Sequence, residues 1–220
     1  MQGLDAIFFD LDGTLVDSAP DIQSCLFAAL QEHAITADGA AARFKIGPPL
    51  DAMIRYMVPG ISPERLAGVV ESFRKNYDRS DYPLTVPFKG VECLFSQLAL
   101  TGLPLYVATN KPLLPSKRIV AKMGWSFFEA LLTPDFMEGR CFTKPQLLQF
   151  VATDRGYDPK KCIMVGDLSD DVVAARTAGF RSVIVSWGYG EVEFLANCGA
   201  DWLVFEPAEI ISIGKGLCGV

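Results

Sequence analysis

The stretch AIFFDLDGTLVDS, residues 6 to 18, decides the fold. Its first four residues, Ala6 to Phe9, form an apolar run fit for a buried strand and too short for a buried helix. The run ends directly in Asp10 and Asp12. Open α/β sheets bind ligands beyond the carboxyl ends of their parallel strands, so an acidic pair at such an end stands where chemistry is expected. Two carboxylates two residues apart repel each other and resist desolvation. A bound cation or a wet cleft is needed to keep both ionised. An acidic Asp-Gly turn on the surface is the plain alternative, and the strand-like run in front of it favours a site.

Working outward, short apolar runs alternate with amphipathic stretches, the signature of helices packed on a parallel sheet. The strands expected are Ala6 to Phe9, Leu103 to Ala108, Cys162 to Val165, Ser182 to Val185 and Trp202 to Phe205. Helices are expected over Gly90 to Leu100, Pro112 to Met123, Pro145 to Arg155 and Ser169 to Ala178, stopped by Gly102, Gly124, Gly156 and Gly179. Residues 18 to 80 break this rhythm, with helix signals and no clear strand. Ile22, Cys25, Leu26, Ala29 and Leu30 share one helix face, and Ser62-Pro63 opens a capped helix. The reading is an α/β protein with a Rossmann-like parallel-sheet core, residues 1–14 and 87–220, and an inserted helical cap of four helices at 15–86.

Three further stretches carry chemistry. VATNK, Val107 to Lys111, ends another strand, and Thr109 and Asn110 there are suitable donors to phosphate oxygens, though they also suit a helix cap. Lys144 opens a helix, the end that does not favour a cation unless an anion is bound nearby; a solvated surface lysine is the other reading. CIMVGDLSDD, residues 162 to 171, runs a buried-type strand into Asp167, Asp170 and Asp171. That is more acid than helix capping needs, and an oxygen-rich cluster suits a hard divalent ion such as magnesium. An acidic pair, a Thr, a Lys and an acidic cluster, each at a strand end or helix start, together point to phosphoryl transfer.

Composition sets the limits. With 220 residues, half of them hydrophobic, the chain can bury a sizeable core, and its net charge of −6 lacks the positive field of nucleic-acid binders. No nucleic-acid partner is expected. The six cysteines form no CxxC pair and sit mostly in apolar surroundings, so they read as reduced thiols. No apolar run approaches the ~20 residues of a membrane span, and carboxylates come too early for a signal peptide. The expected protein is cytoplasmic, away from membranes, and a monomer or small homo-oligomer. His33, the single histidine, is expected at a helix end, partly buried.

On these residues the chain resembles the haloacid dehalogenase superfamily, in the small-cap branch that includes phosphoglycolate phosphatases. DLDGTLVDS and GDLSDDVVAARTAG carry the resemblance most specifically, and the Thr and Lys segments follow in the right order. PFKGV (87–91), IGPPL (46–50) and CGADWLVFEPAEI are similar to the cap exit, a cap loop and the usual C-terminal stretch. The resemblance implies a phosphatase acting on a small phosphorylated metabolite through an aspartyl-phosphate. By the same implication Asp10 is the nucleophile and Asp12 the acid and then the base. Magnesium binds Asp10, the backbone carbonyl of Asp12 and Asp167, with Asp171 orienting its waters. Thr109 and Asn110 hold phosphate, and Lys144 neutralises charge. CFTKPQ departs from relatives that carry a glycine before this lysine. Arg43, Lys45 and Arg55 are candidate substrate contacts in the cap, or solvated helix-face charges.

Rival readings remain. A dehalogenase has no use for the proton-shuttling Asp12, and a phosphonate hydrolase would need a cap lysine such as Lys45. A sugar-phosphate mutase of the same superfamily shares the site and differs by cap closure against water. A non-enzymatic phospho-accepting signalling domain is shorter, has no insert after the first strand, and orders its acids differently.

Overall fold

Apolar runs too short for helices become the strands of one parallel sheet, as the period of the sequence dictates. The computed structural model describes residues 3–36, 44, 46–47 and 49–216. The elements in chain order are β1 (Ala6–Phe9), β2 (Val16–Asp17), α1 (Ala19–Glu32), α2 (Leu50–Met57), α3 (Pro63–Arg79), β3 (Val86–Pro87), α4 (Val91–Ala99) and β4 (Leu105–Ala108). They continue with α5 (Leu113–Lys122), β5 (Ala130–Leu132), α6 (Lys144–Arg155), β6 (Cys162–Gly166), α7 (Ser169–Ala178), β7 (Arg181–Val185), α8 (Val192–Leu195), β8 (Trp202–Val204) and α9 (Glu209–Gly216). The chain divides into two compact units, one of residues up to Asp17 with those from Val86, the other Ser18–Thr85.

The first unit holds a six-stranded sheet in the order β5-β4-β1-β6-β7-β8, every pairing parallel. Counting only these six strands in chain order gives 3-2-1-4-5-6, the Rossmann order, so the core is α/β and Rossmann-like. The chain leaves β1 towards β4 on one side and leaves β6 towards β7 on the other. The crevice where the direction reverses therefore opens at the carboxyl ends of β1 and β6. β1 and β6 are buried along their whole length, as expected of strands covered on both faces. On one face Phe8, Tyr106 and Met164 pack against Leu147, Leu148 and Val151 of α6 and Ala174 and Ala175 of α7. On the other, Phe9 meets Phe95 of α4 edge to face, with ring centroids 5.8 Å apart. Each large side chain so buried contributes about 1.5–3 kcal/mol.

Among the strands, two features depart from the expectation. β5 escapes it because three residues, two of them only partly buried, carry too little pattern to register. The antiparallel pair β2–β3, with Val16 opposite Pro87 and Asp17 opposite Val86, is shorter still. The expected strand and helix positions otherwise recur with ends shifted by a residue or two.

In the second unit α1 packs on α3 through the face read from the sequence: Ile22, Leu26, Ala29 and Leu30 are buried. Ser62 accepts from the Arg65 amide at 3.3 Å and caps α3 as Ser62-Pro63 requires. His33 lies half-buried at the end of α1, its Nε2 3.0 Å from the Ser72 hydroxyl, over Gly68, where a side chain would strike the ring. Asp21, also buried, accepts from the Leu84 amide at 3.0 Å and the Thr85 hydroxyl at 2.7 Å, tying the start of the unit to its end. Three helices occur among the described residues of this unit rather than four, and residues 37–43, 45 and 48 lie outside the description. Arg43 and Lys45 are among those; Arg55 is exposed in the last turn of α2.

Candidate active site

Asp10 is the first residue past β1, its amide donating to Val165 O at 2.8 Å and so fastening it to β6. Asp167 is the first past β6, and Asp171 lies in the first turn of α7. All three are buried, and one carboxylate oxygen from each lies within 4.8 Å of the others. Lys144 opens α6 and points its ammonium into this group, 2.6 Å from Asp171 Oδ1 and 3.1 Å from Asp10 Oδ1. A cation at a helix N-terminus is thus held by two carboxylates, which outweigh the adverse dipole. Burial would depress the lysine, but the facing Asp10 and Asp171 raise it above its ordinary range and keep it protonated.

The acids repel one another. Burial pushes the Asp10 carboxyl up to about 6 against the pull of Lys144, with Asp171 and Asp12 adding to the rise. Burial pushes Asp167 up to about 8, helped by the charges of Asp10 and Asp171; donation from the Tyr189 amide and the Thr14 hydroxyl opposes this. Asp10 Oδ1 is buried, and the Lys144 ammonium at 3.1 Å is the contact that offsets its charge. Such an oxygen, beside two carboxylates, is the donor set of a hard divalent cation.

Glycines allow the closeness. Gly13 has φ +81°, and a Cβ there would overlap the Asp167 carboxylate. A Cβ on Gly166 would overlap Asp171. Only glycine fits either place.

Asp12 stands apart from the buried trio. Both its oxygens are held by the Lys111 ammonium, at 3.0 and 2.8 Å. Thr109, past β4, is buried, and its hydroxyl accepts from the Lys111 amide at 3.2 Å, leaving its proton free to donate. Asn110 beside it is exposed. The structure therefore brings together Asp10, Lys144, Asp167 and Asp171, and places Asp12 and Thr109 on one neighbouring loop system through Lys111. Asp170 is exposed on the outer side of α7.

Four contributors had no assignment in the sequence reading. Thr14 donates to Asp167 Oδ1 at 3.1 Å, the Tyr189 amide donates to Asp167 Oδ2 at 2.8 Å, and the Trp187 indole donates to Thr14 O at 3.0 Å. Lys111 is the fourth. Thr14 and Lys111 lie inside stretches already singled out, and a lysine directly after Thr-Asn was the available signal. Trp187 and Tyr189 lie in SWGYG past β7, which only the sheet order brings to β6. A hollow of about 710 Å³ lined by Gly3, Asp5, Thr101, Pro104 and Tyr157 lies at the opposite, amino end of the strands, away from these acids.

No helix among the described residues is long and apolar enough to cross a membrane. Residues 7–185 match the family model described as haloacid dehalogenase-like hydrolase. The chain is 34% identical over 211 residues to the phosphoglycolate phosphatase of Xanthomonas campestris, covering 93% of this chain and 94% of that one. It is 32% identical over 190 residues to tyrosine-protein kinase PtkA of Mycobacterium tuberculosis, covering 86% of this chain; it spans only 64% of that relative's length. Among solved structures, that of a predicted phosphoglycolate phosphatase from Haemophilus somnus superposes with a TM-score of 0.84 at 25% identity, over 97% of this chain and 99% of the other. The matched span covers β1 to β7 and with them every acid of the site, so the chain belongs to the haloacid dehalogenase-like hydrolase family.

Proposed function

We propose that this chain is a magnesium-dependent phosphatase, similar to phosphoglycolate phosphatases, that hydrolyses a small organic phosphomonoester through an aspartyl-phosphate on Asp10. The observation that carries the reading is the convergence of Asp10, Asp167 and Asp171 within 4.8 Å, with the Lys144 ammonium among them. Four carboxylates, counting Asp12, face two ammoniums, those of Lys111 and Lys144, so the ionised site carries excess negative charge before any phosphate arrives. Asp10, the Asp12 backbone carbonyl and Asp167 would hold magnesium, with Asp171 orienting its waters. When bound, the ion neutralises charge on the phosphoryl oxygens and on the attacking carboxylate.

The chain's own residues supply the rest. The Asp10 carboxylate attacks phosphorus as the bond to the leaving oxygen breaks, and Asp12 gives that oxygen a proton. Asp12 then takes a proton from water as the water oxygen attacks phosphorus, and the bond to Asp10 breaks to release phosphate. Thr109 and Asn110 donate to phosphoryl oxygens, and Lys144 offsets repulsion between Asp10 and the phosphoryl group. The helical insert, expected over 15–86 and compact from Ser18 to Thr85, serves as the cap that selects the substrate. The protein works in the cytoplasm as a monomer or small homo-oligomer on small metabolites.

The test is a panel of phosphorylated metabolites, including phosphoglycolate and a nucleoside monophosphate, assayed with magnesium and after chelation. Magnesium-dependent phosphate release is expected; no release from any member would overturn the reading. The likeness to PtkA favours a second reading, phosphoryl transfer to a protein tyrosine. ATP with a tyrosine-containing polypeptide separates the two, since only the second reading labels the polypeptide.

A further inference from the structure

We propose that Lys111 is a positioning residue for Asp12, fixing the carboxylate that carries protons to the leaving group and from water; this rests on the phosphatase reading above. The Lys111 ammonium reaches both oxygens of Asp12, at 3.0 and 2.8 Å, across 99 residues of chain. The lysine side chain is 6% exposed and that of Asp12 is 17% exposed. A buried ammonium has given up its hydration and is held by its partner. Gripping both oxygens selects one orientation of a short side chain that the partly open turn would otherwise let rotate.

The backbone of Lys111 does a second thing. Its amide donates to the Thr109 hydroxyl at 3.2 Å, so the residue that grips Asp12 also orients the group proposed to receive a phosphoryl oxygen. Lys144 faces Asp10 and Asp171 instead. The two ammoniums therefore have separate tasks, one at the nucleophile and one at the proton carrier. Proton transfer needs heavy atoms within about 2.6–3.2 Å, and a misplacement of about 1 Å can cost about a hundredfold.

The competing explanation is that Lys111 only balances charge in the fold. The two differ in how the loss depends on the leaving group. A good leaving group, p-nitrophenolate, departs with little protonation, whereas phenolate departs poorly without a proton. The experiment measures kcat/KM, which reports the step that expels the leaving group, for wild type, K111M, K111R, D12N and the D12N/K111M double variant on p-nitrophenyl phosphate and on phenyl phosphate, with melting curves for each. K111M is expected to lose about tenfold more on phenyl phosphate than on p-nitrophenyl phosphate, a part of the usual acid-catalysis factor. K111R, whose fork also takes both oxygens, should stay within about threefold of wild type on both. Adding K111M to D12N should cost nothing further, because both act on one proton path. If K111M melts below the assay temperature, K111Q replaces it with the same expectation.

Equal losses on the two substrates, or losses that add in the double variant, would overturn the role of Lys111 and leave the phosphatase reading standing. A wild type that releases phosphate from neither aryl phosphate nor any metabolite of the panel would sink the phosphatase reading, and this inference with it.

Discussion

The Thr14 hydroxyl donates to Asp167 Oδ1 at 3.1 Å, joining the turn after β1 to the end of β6 across 153 residues of chain. The other oxygen of Asp167 accepts from the Tyr189 amide at 2.8 Å. One donor on each oxygen fixes the plane of the carboxylate. Asp167 is one of the proposed magnesium ligands, and groups behind a metal ligand typically control about 10–100-fold of metal affinity. Thr14→Val keeps the shape and removes the donor, so the magnesium concentration for half-maximal activity should rise by about tenfold or more. Titrating magnesium against activity checks this, and an unchanged midpoint would refute it.

Gly13→Ala tests the close approach. The residue sits at φ +81°, where an L side chain is strained, and its Cβ would overlap the Asp167 carboxylate. The variant should lose about 1–3 kcal/mol of stability from the backbone alone and should lose magnesium activation as well. A chemical denaturation curve and an activity assay read the two effects separately. A variant as stable and active as wild type would show that the turn relaxes freely.

Asp10→Asn should abolish turnover by at least about a thousandfold while leaving the fold intact. Lys144 keeps its 2.6 Å contact with Asp171 in that variant, so no buried charge is stranded. The amide also removes one of the like charges that push Asp167 upward. Circular dichroism and steady-state kinetics on an aryl phosphate provide the check, and normal turnover would end the nucleophile assignment.

Cys162 should be chemically silent in the native protein. It is fully buried at the start of β6, and burial, aided by the charges of Asp5 and Asp158, pushes its thiol up to about 12. The thiolate is the reactive form. Iodoacetamide at pH 8 should label the exposed Cys93 and Cys141 and spare Cys162 until denaturant is added. Mass spectrometry of the digested protein decides it.

The parts of the site legible in the sequence were those written locally. Asp10 and Asp167 each follow an apolar run of strand length, so strand and acid are read in one glance. The family resemblance gives a role to Asp171 and none to Asp170, and the structure separates them, one buried and one exposed. Thr14 lay in plain view within the first motif, but a hydroxyl shows no purpose until its partner, more than a hundred residues away, is beside it. Lys111 likewise stands in view directly after Thr-Asn, but its purpose shows only once Asp12 is beside it. The SWGYG loop follows β7, and nothing in its own pattern says that β7 pairs with β6. What the sequence withholds is pairing across the sheet, since period and capping are local properties and strand order is not.

The two-residue ladder of Val16–Asp17 with Val86–Pro87 has a wider meaning. It pins the departure and the return of the chain side by side, within the first unit, before the insert begins. To the sheet, everything from Ser18 to Thr85 is a stapled loop whose ends never separate, and the entropic penalty of such a loop grows only logarithmically with its length. Evolution can therefore lengthen, shorten or exchange that passage while the acids at the tips of β1 and β6 stay in register. A reaction centre built this way is insulated from experiments in specificity.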